Sequence, residues 1–271
     1  MSDLLDLLEH ESLRGSLDHC VKCTICETAC PVSNATPLFP GPKYAGPQSE
    51  RYRVAGQLSV DASVDYCSGC GICSQVCPQG VKVAELNARA RDALKREHGV
   101  PLRDRIITRP TWLGRAGTPT AAIANRSLSW RPARILAHKV LGVHRDAPVP
   151  RFAGRRFSRW ARARTSPATG RRIVYFHGCG TEYYEPWEGE KVVAILEHNG
   201  FEVVVPKQDC CGLPLQSSGL FDDARRVVLR LARALDAAAT QAGGDDAIIV
   251  GNATSCTLML KREAREILGL E

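Results

Sequence analysis

Eight of the chain's twelve cysteines fall before residue 78, in two runs of one spacing. The first reads Cys20-x2-Cys23-x2-Cys26-x3-Cys30-Pro31, the second Cys67-x2-Cys70-x2-Cys73-x3-Cys77-Pro78. Three thiolates two residues apart can curl around three corners of an iron–sulfur cube, and the fourth, beyond the turn, serves the other cluster in this motif. The spacing therefore predicts two [4Fe-4S] clusters. Cys20, Cys23, Cys26 and Cys77 would hold one, and Cys67, Cys70, Cys73 and Cys30 the other. The prolines end each run and turn the chain away after its last ligand. Structural zinc fits less well, since it takes two separated pairs of ligands, not four in an eleven-residue run.

The elements around these runs are predicted to be helical. Val83, Leu86, Ala90 and Leu94 lie at helical spacing within 81–97, and Gly99 and Pro101 then stop the helix. The 36 residues between Cys30 and Cys67 contain Pro37, Pro40, Pro42 and Pro47, show little β pattern and become helix-compatible towards Asp65. Residues 1–100 thus read as a mostly α-helical two-cluster unit.

The other four cysteines, Cys179, Cys210, Cys211 and Cys256, belong to a different texture. The stretch 173–176 reads as a buried strand, and 201–206 and 247–251 read as a second and a third strand. Helices are expected over 189–199, 222–239 and 257–268. Strands alternating with helices indicate βαβ units around a small parallel sheet. The adjacent thiols Cys210 and Cys211 suit neighbouring irons of a cluster better than one tetrahedral ion. His177, beside Cys179, reads as a strand-end residue and not as a ligand.

The remaining 101–170 reads as a connector with scattered Pro, Gly and Arg and short helices. Between Arg126 and Thr165 stand eleven Lys or Arg against one acid, Asp146, so this stretch carries +10 of a chain whose total is +7 and the remainder sums to −3. Its charge, with Trp130, Phe157 and Trp160, suits a solvated linker, an anionic lipid surface or an acidic partner face. Nucleic acid is not expected, because no binding motif accompanies the charge. No run of ~18 apolar residues appears, and the N-terminus MSDLLDLLEHESLRG is acidic where a signal peptide would be basic. The expectation is a cytoplasmic location, with peripheral attachment at the inner face of the cell membrane as an option. Clustered cysteines in a reducing compartment point to metal or redox chemistry, not disulfides.

Residues 20–51, CVKCTICETACPVSNATPLFPGPKYAGPQSER, with YCSGCGICSQVCPQGVKV at 66–83, closely resemble the iron–sulfur subunit of anaerobic glycerol-3-phosphate dehydrogenases. The PGPK-x-AGP stretch at 40–47 is the most specific part of the likeness, since no cluster requires it. The resemblance continues through FHGC (176–179) to Cys210-Cys211-Gly212. Lactate-oxidising iron–sulfur proteins and heterodisulfide reductase subunits look similar in the last hundred residues.

The resemblance implies an α+β multidomain chain: an α-helical two-cluster ferredoxin domain (1–100), the basic connector (101–170) and a single CCG-type cysteine-rich α/β domain (171–271). It implies an electron-transfer subunit, not a complete enzyme, that takes electrons from a flavin-containing dehydrogenase towards membrane quinone. No G-x-G-x-x-G follows a strand, so flavin is expected on the partner. A thiol/disulfide-active protein, or a lactate-oxidising one, is the alternative. The family carries a second cysteine-rich module, whereas this sequence stops at Glu271 after one, with Ala253-x-x-Cys256 in place of the closing C-x-x-C pair. A further cluster at Cys179, Cys210, Cys211 and Cys256 is expected only if a second module is supplied.

Overall fold

A computed structural model describes residues 13, 15–54, 57–165 and 170–270. Most of the acidic N-terminal stretch, residues 1–12 and 14, on which the expected location partly rests, lies outside them. The chain divides into two compact units. One comprises Met1–Val100, Leu215–Ala224 and Arg262–Glu271, the other Pro101–Pro214 and Arg225–Lys261.

The first unit is helical. Short helices α1 (Ile25–Thr28) and α2 (Ile72–Gln75) each start inside a cysteine run. Helix α3 (Val83–His98) is the spine, with Val83, Leu86, Ala90 and Leu94 buried along one stripe. Glu85 in its first turn and Lys95, Arg96 and His98 in its last suit the helix dipole. Gly99, at φ 77°, ends it.

The stripe serves two small cores. Val83 and Leu86 join Leu13, Leu17, Cys73 and Val81, while Ala90 and Leu94 join Cys30, Phe39, Ala45 and Val64. The proline-rich insert folds over α3 through a wide turn at Tyr44–Gln48, where Gly46 approaches Asn87 so closely that a Cβ would sit 2.8 Å from its Oδ1. Asp65 at the insert's end is gripped from α3 by Lys95 at 2.7 Å and Arg91 at 3.1 Å.

The second unit contains a three-stranded parallel sheet, β1 (Arg171–Phe176), β2 (Phe201–Val204) and β3 (Ile248–Gly251), in the order β2-β1-β3. Ile173 pairs with Val203 on one side and Ile248 on the other. The 101–165 stretch carries short helices, as the sequence suggests. It forms α4 (Leu102–Ile107), α5 (Pro110–Gly117), α6 (Ala121–Ser129), α7 (Arg131–Leu141) and α8 (Phe157–Ala163). These helices are only six to eleven residues long, too short for a periodic signal to accumulate.

Phe157, which the lipid-surface option would put among headgroups, is fully buried with Ile173, Tyr175, Val193 and Val203. Trp160 packs against the same core. After β1 come α9 (Gly178–Tyr183) and α10 (Pro186–His198); α11 (Leu213–Gln216) and α12 (Phe221–Ala242) lie between β2 and β3, and α13 (Thr254–Leu258) follows β3. The expected 257–268 helix is present as a continuous helical run from Thr254 to Glu266, with a wide π-helical segment at Met259–Glu263.

Candidate iron–sulfur centre

The two cysteine runs fold alike. Each opens in extended backbone at its first cysteine, Cys20 (ψ 103°) and Cys67 (ψ 129°). Each then passes twice through the left-handed region before its short helix. In the second run those positions are Gly69 and Gly71, at φ 69° and 77°. In the first they are Lys22 and Thr24, at φ 58° and 68°. Glycine enters that region freely, whereas a β-branched residue there is strained. Strain of this kind persists only where the surroundings demand a particular chain path. Here it curls the backbone so that successive thiols face one side.

That side is a cavity in each case. The first is lined by Cys20, Cys23, Cys26 and Cys77, with Lys22, Lys43, Pro47, Val81 and Val83 among its walls. The second is lined by Cys30, Cys67, Cys70 and Cys73, with Val32, Phe39, Pro42 and Ala84. The structure thus brings together three thiols of each run with the fourth of the other. Among the described residues no three Cys, His, Asp or Glu converge as ligands of a single ion. Four thiols facing one apolar cavity fit a guest that is bound through several cysteines. The donor set suits it too, since iron–sulfur clusters take four thiolates.

The surroundings differ between the two. Cys30 and Cys73 in the second cavity are buried, and burial is the main cause pushing the Cys73 thiol far above its ordinary value. Burial likewise raises Cys26 and Cys67. Such thiols stay protonated unless a positively charged centre takes the proton's place. The Val81 amide approaches Cys77 Sγ at 3.4 Å, a weak N–H···S contact. Arg91 donates to the Cys67 carbonyl at 2.6 Å and to the Ser217 carbonyl at 2.6 Å, which fixes the start of the second run.

The four remaining cysteines gather at the carboxyl ends of the sheet. Cys179 follows β1, Cys210 and Cys211 follow β2, and Cys256 follows β3. With strand order β2-β1-β3, the chain leaves β1 in one direction and returns past it to β3, which makes this end of the sheet a topological switch point, where open α/β sheets bind ligands. Cys179 and Cys210 Sγ stand 3.8 Å apart, Cys211 and Cys256 Sγ 3.2 Å apart.

Each thiol discourages ionisation of the next. Cys211 is pushed up to about 12, first by its Cys210 neighbour, and Cys210 and Cys256 are raised further, chiefly by Cys179 and Cys211 respectively. Asp209 braces the pair by accepting from the Cys210 amide at 2.9 Å and from Thr111 at 2.8 Å. Although burial opposes it, these bonds and Arg230 hold the Asp209 carboxyl below its usual range. His177 lies at the strand end, as its sequence position suggests. It is buried, with its amide donating to Gln208 Oε1 at 2.9 Å, and burial lowers its pKa. Asp209 and Gln208 were not singled out by the sequence; only their place beside Cys210 hinted at them.

Comparison with known proteins finds a domain family for each cysteine-bearing region. Residues 16–81 match the 4Fe-4S dicluster domain and residues 173–261 the cysteine-rich CCG domain. The chain joins a dicluster domain to a CCG domain. Over 260 residues, 94% of its length, it is 34% identical to a subunit of the anaerobic glycerol-3-phosphate dehydrogenase of Escherichia coli strain K12, and equally to that of strain O157:H7. It spans 64% of the length of those relatives.

Shorter likenesses extend to a subunit of the fumarate reductase (CoM/CoB) of Methanothermobacter marburgensis, 38% identical over 35% of this chain and 18% of that one. Lactate utilization protein A of an Exiguobacterium species is 30% identical over 33% of this chain and 34% of its own. No solved structure matches the chain. The α+β architecture and the resemblance to the glycerol-3-phosphate dehydrogenase subunit thus stand as the sequence indicated.

Proposed function

We propose that the chain is an electron-transfer subunit holding two [4Fe-4S] clusters, one on Cys20, Cys23, Cys26 and Cys77 and the other on Cys67, Cys70, Cys73 and Cys30. The observation that carries this reading is the pair of cavities, each lined by one of these sets of four thiols. When bound, each cluster supplies a site that takes up and gives back one electron. The protein's part is to hold the thiolates, to line the cavities with apolar Val, Phe and Pro, and to set local charge through Lys22 and Lys43.

The electron donor in this proposal is a flavin-containing dehydrogenase acting on glycerol 3-phosphate, as the name of the Escherichia coli relative suggests. The acceptor is membrane quinone. Among the described residues no helix is long and apolar enough to cross a membrane. Approach to a lipid surface would fall to the exposed Trp130, Leu136 and Val140 around α7, set among Arg126, Arg131, Arg134 and Lys139. Each basic residue near anionic lipid contributes ~1 kcal/mol. In this reading the chain works in the cytoplasm, peripheral at the inner membrane face.

The 3.2 Å separation of Cys211 and Cys256 Sγ favours one second reading, a thiol/disulfide-active protein. Against it, Cys211 is buried and its pKa is raised, so the attacking thiolate is scarce near neutral pH. A further cluster there would need a second cysteine-rich module. The two readings separate in an assay of glycerol-3-phosphate-dependent quinone reduction with the dehydrogenase partner present. Cys23→Ser should abolish the flow and Cys211→Ser should leave most of it. The opposite pattern would favour thiol chemistry.

A further inference from the structure

Another concave site lies within the sheet-containing unit. Its volume is about 390 Å³, within the size range of small-molecule sites. It is formed by α5, α8 and the segment after β2, and Arg115, Arg156, Arg162, Arg164 and Lys207 line it. The lining contains one carboxylate, Glu182, and both its oxygens are engaged. Oε2 accepts from the Ser158 amide at 2.9 Å and Oε1 from the Ser158 hydroxyl at 2.7 Å.

The cations are left without carboxylate partners to an unusual degree. Arg156 donates to the Arg115 carbonyl at 3.2 Å and lies over the Tyr183 ring, and Arg162 donates to the Ser158 carbonyl. Arg115 stands near the Tyr183 hydroxyl and works against the rise in pKa that burial causes there. Among the described residues none of these three forms an ion pair. Arg164 does, with Glu197, and also donates to the Val203 carbonyl at 2.7 Å, yet its Nε is buried with no acceptor. A buried donor left without a partner is costly to keep.

Several guanidinium groups gathered around one hollow repel one another unless an anion joins them, and their planar forks match oxyanions in pairs. A solvated basic surface would need neither the hollow nor the buried Arg164 Nε. Val203, Val205 and Pro206 add an apolar wall. The position is again favourable, outside the carboxyl ends of β1 and β2.

We propose that this cavity binds a small organic oxyanion, a phosphate or carboxylate group with an apolar body, and that Arg115, Arg156, Arg162 and Lys207 hold its charge. This site is independent of the cluster reading. It is tested by calorimetric titration of the anaerobically purified, cluster-loaded full chain with phenyl phosphate, benzoate, inorganic phosphate and neutral phenol. The oxyanions with a ring should bind and phenol should not. Preference for phenyl phosphate or for benzoate then tells which group the site is built for.

Arg115→Gln and Arg162→Gln, both at exposed positions, should each weaken binding tenfold or more. Lys139→Gln, on α7 outside the cavity, should leave it unchanged. Absence of binding by every anion at millimolar concentration would overturn the proposal. So would equal weakening by Lys139→Gln, which would reduce the effect to general surface charge.

Discussion

At the scale of single residues, the cysteine spacing is legible because cluster geometry leaves little freedom in where thiolates stand. The backbone that delivers them is less so. Lys22 and Thr24 give no hint alone of their positive φ, but superposing the runs sets them against Gly69 and Gly71. A left-handed residue with a side chain costs about 1–2 kcal/mol, part of which glycine returns through its freer unfolded chain. Thr24→Gly should therefore stabilise the cluster-loaded protein by about 0.5–1 kcal/mol. Among the described residues the Thr24 hydroxyl bonds only to the neighbouring Cys23 carbonyl, at an exposed position. Anaerobic denaturant titration measures the change; a lower midpoint would show that the side chain does something the strain argument omits.

At the scale of elements, the three strands were readable because β-branched and aromatic residues fill them in short unbroken runs. Helices α3 and α12 were readable because 16 and 22 residues give a stripe time to repeat. The helices of 101–170 were legible as short pieces, but their role in burying the sheet was not. What decides their packing is the absence of a side chain as much as its presence. A Cβ on Gly114 of α5 would lie 2.2 Å from the Tyr183 ring of α9, and one on Gly189 of α10 would lie 2.5 Å from Thr181 Cγ2.

A ring wedged between helices cannot step aside. Gly114→Ala should cost about 1–3 kcal/mol despite alanine's better helix propensity. Thermal unfolding reads this directly, and an unchanged or raised midpoint would mean that α5 does not press on α9 as described. The four C-terminal thiols show the reverse limit. Their residue types were evident in the sequence, but their meeting at one end of the sheet follows only from strand order.

At the scale of the whole molecule, the two proposed clusters should not be equivalent. Reduction adds negative charge, which nearby cations favour and burial opposes. Lys22 and Lys43 line the first cavity, with Lys43 partly neutralised by Glu27 at 3.2 Å, while the second has no ionisable residue but its cysteines and encloses the buried Cys30 and Cys73. Arg91 stands near the second, but it is paired with Asp65. The first cluster should accordingly have the higher reduction potential. Lys22→Gln should lower that potential and leave the other in place in an EPR-monitored redox titration. A shift of both, or of neither, would contradict the assignment of charge.

All of this depends on two clusters being present, so the most direct measurement is the iron and acid-labile sulfide content of protein purified without oxygen, with EPR of the reduced sample. The account predicts about eight irons and eight sulfides per chain and the signal of two interacting [4Fe-4S] centres, with Cys23→Ser losing or altering the centre held by the first cavity. Zinc in place of iron, or a single non-interacting centre, would contradict it.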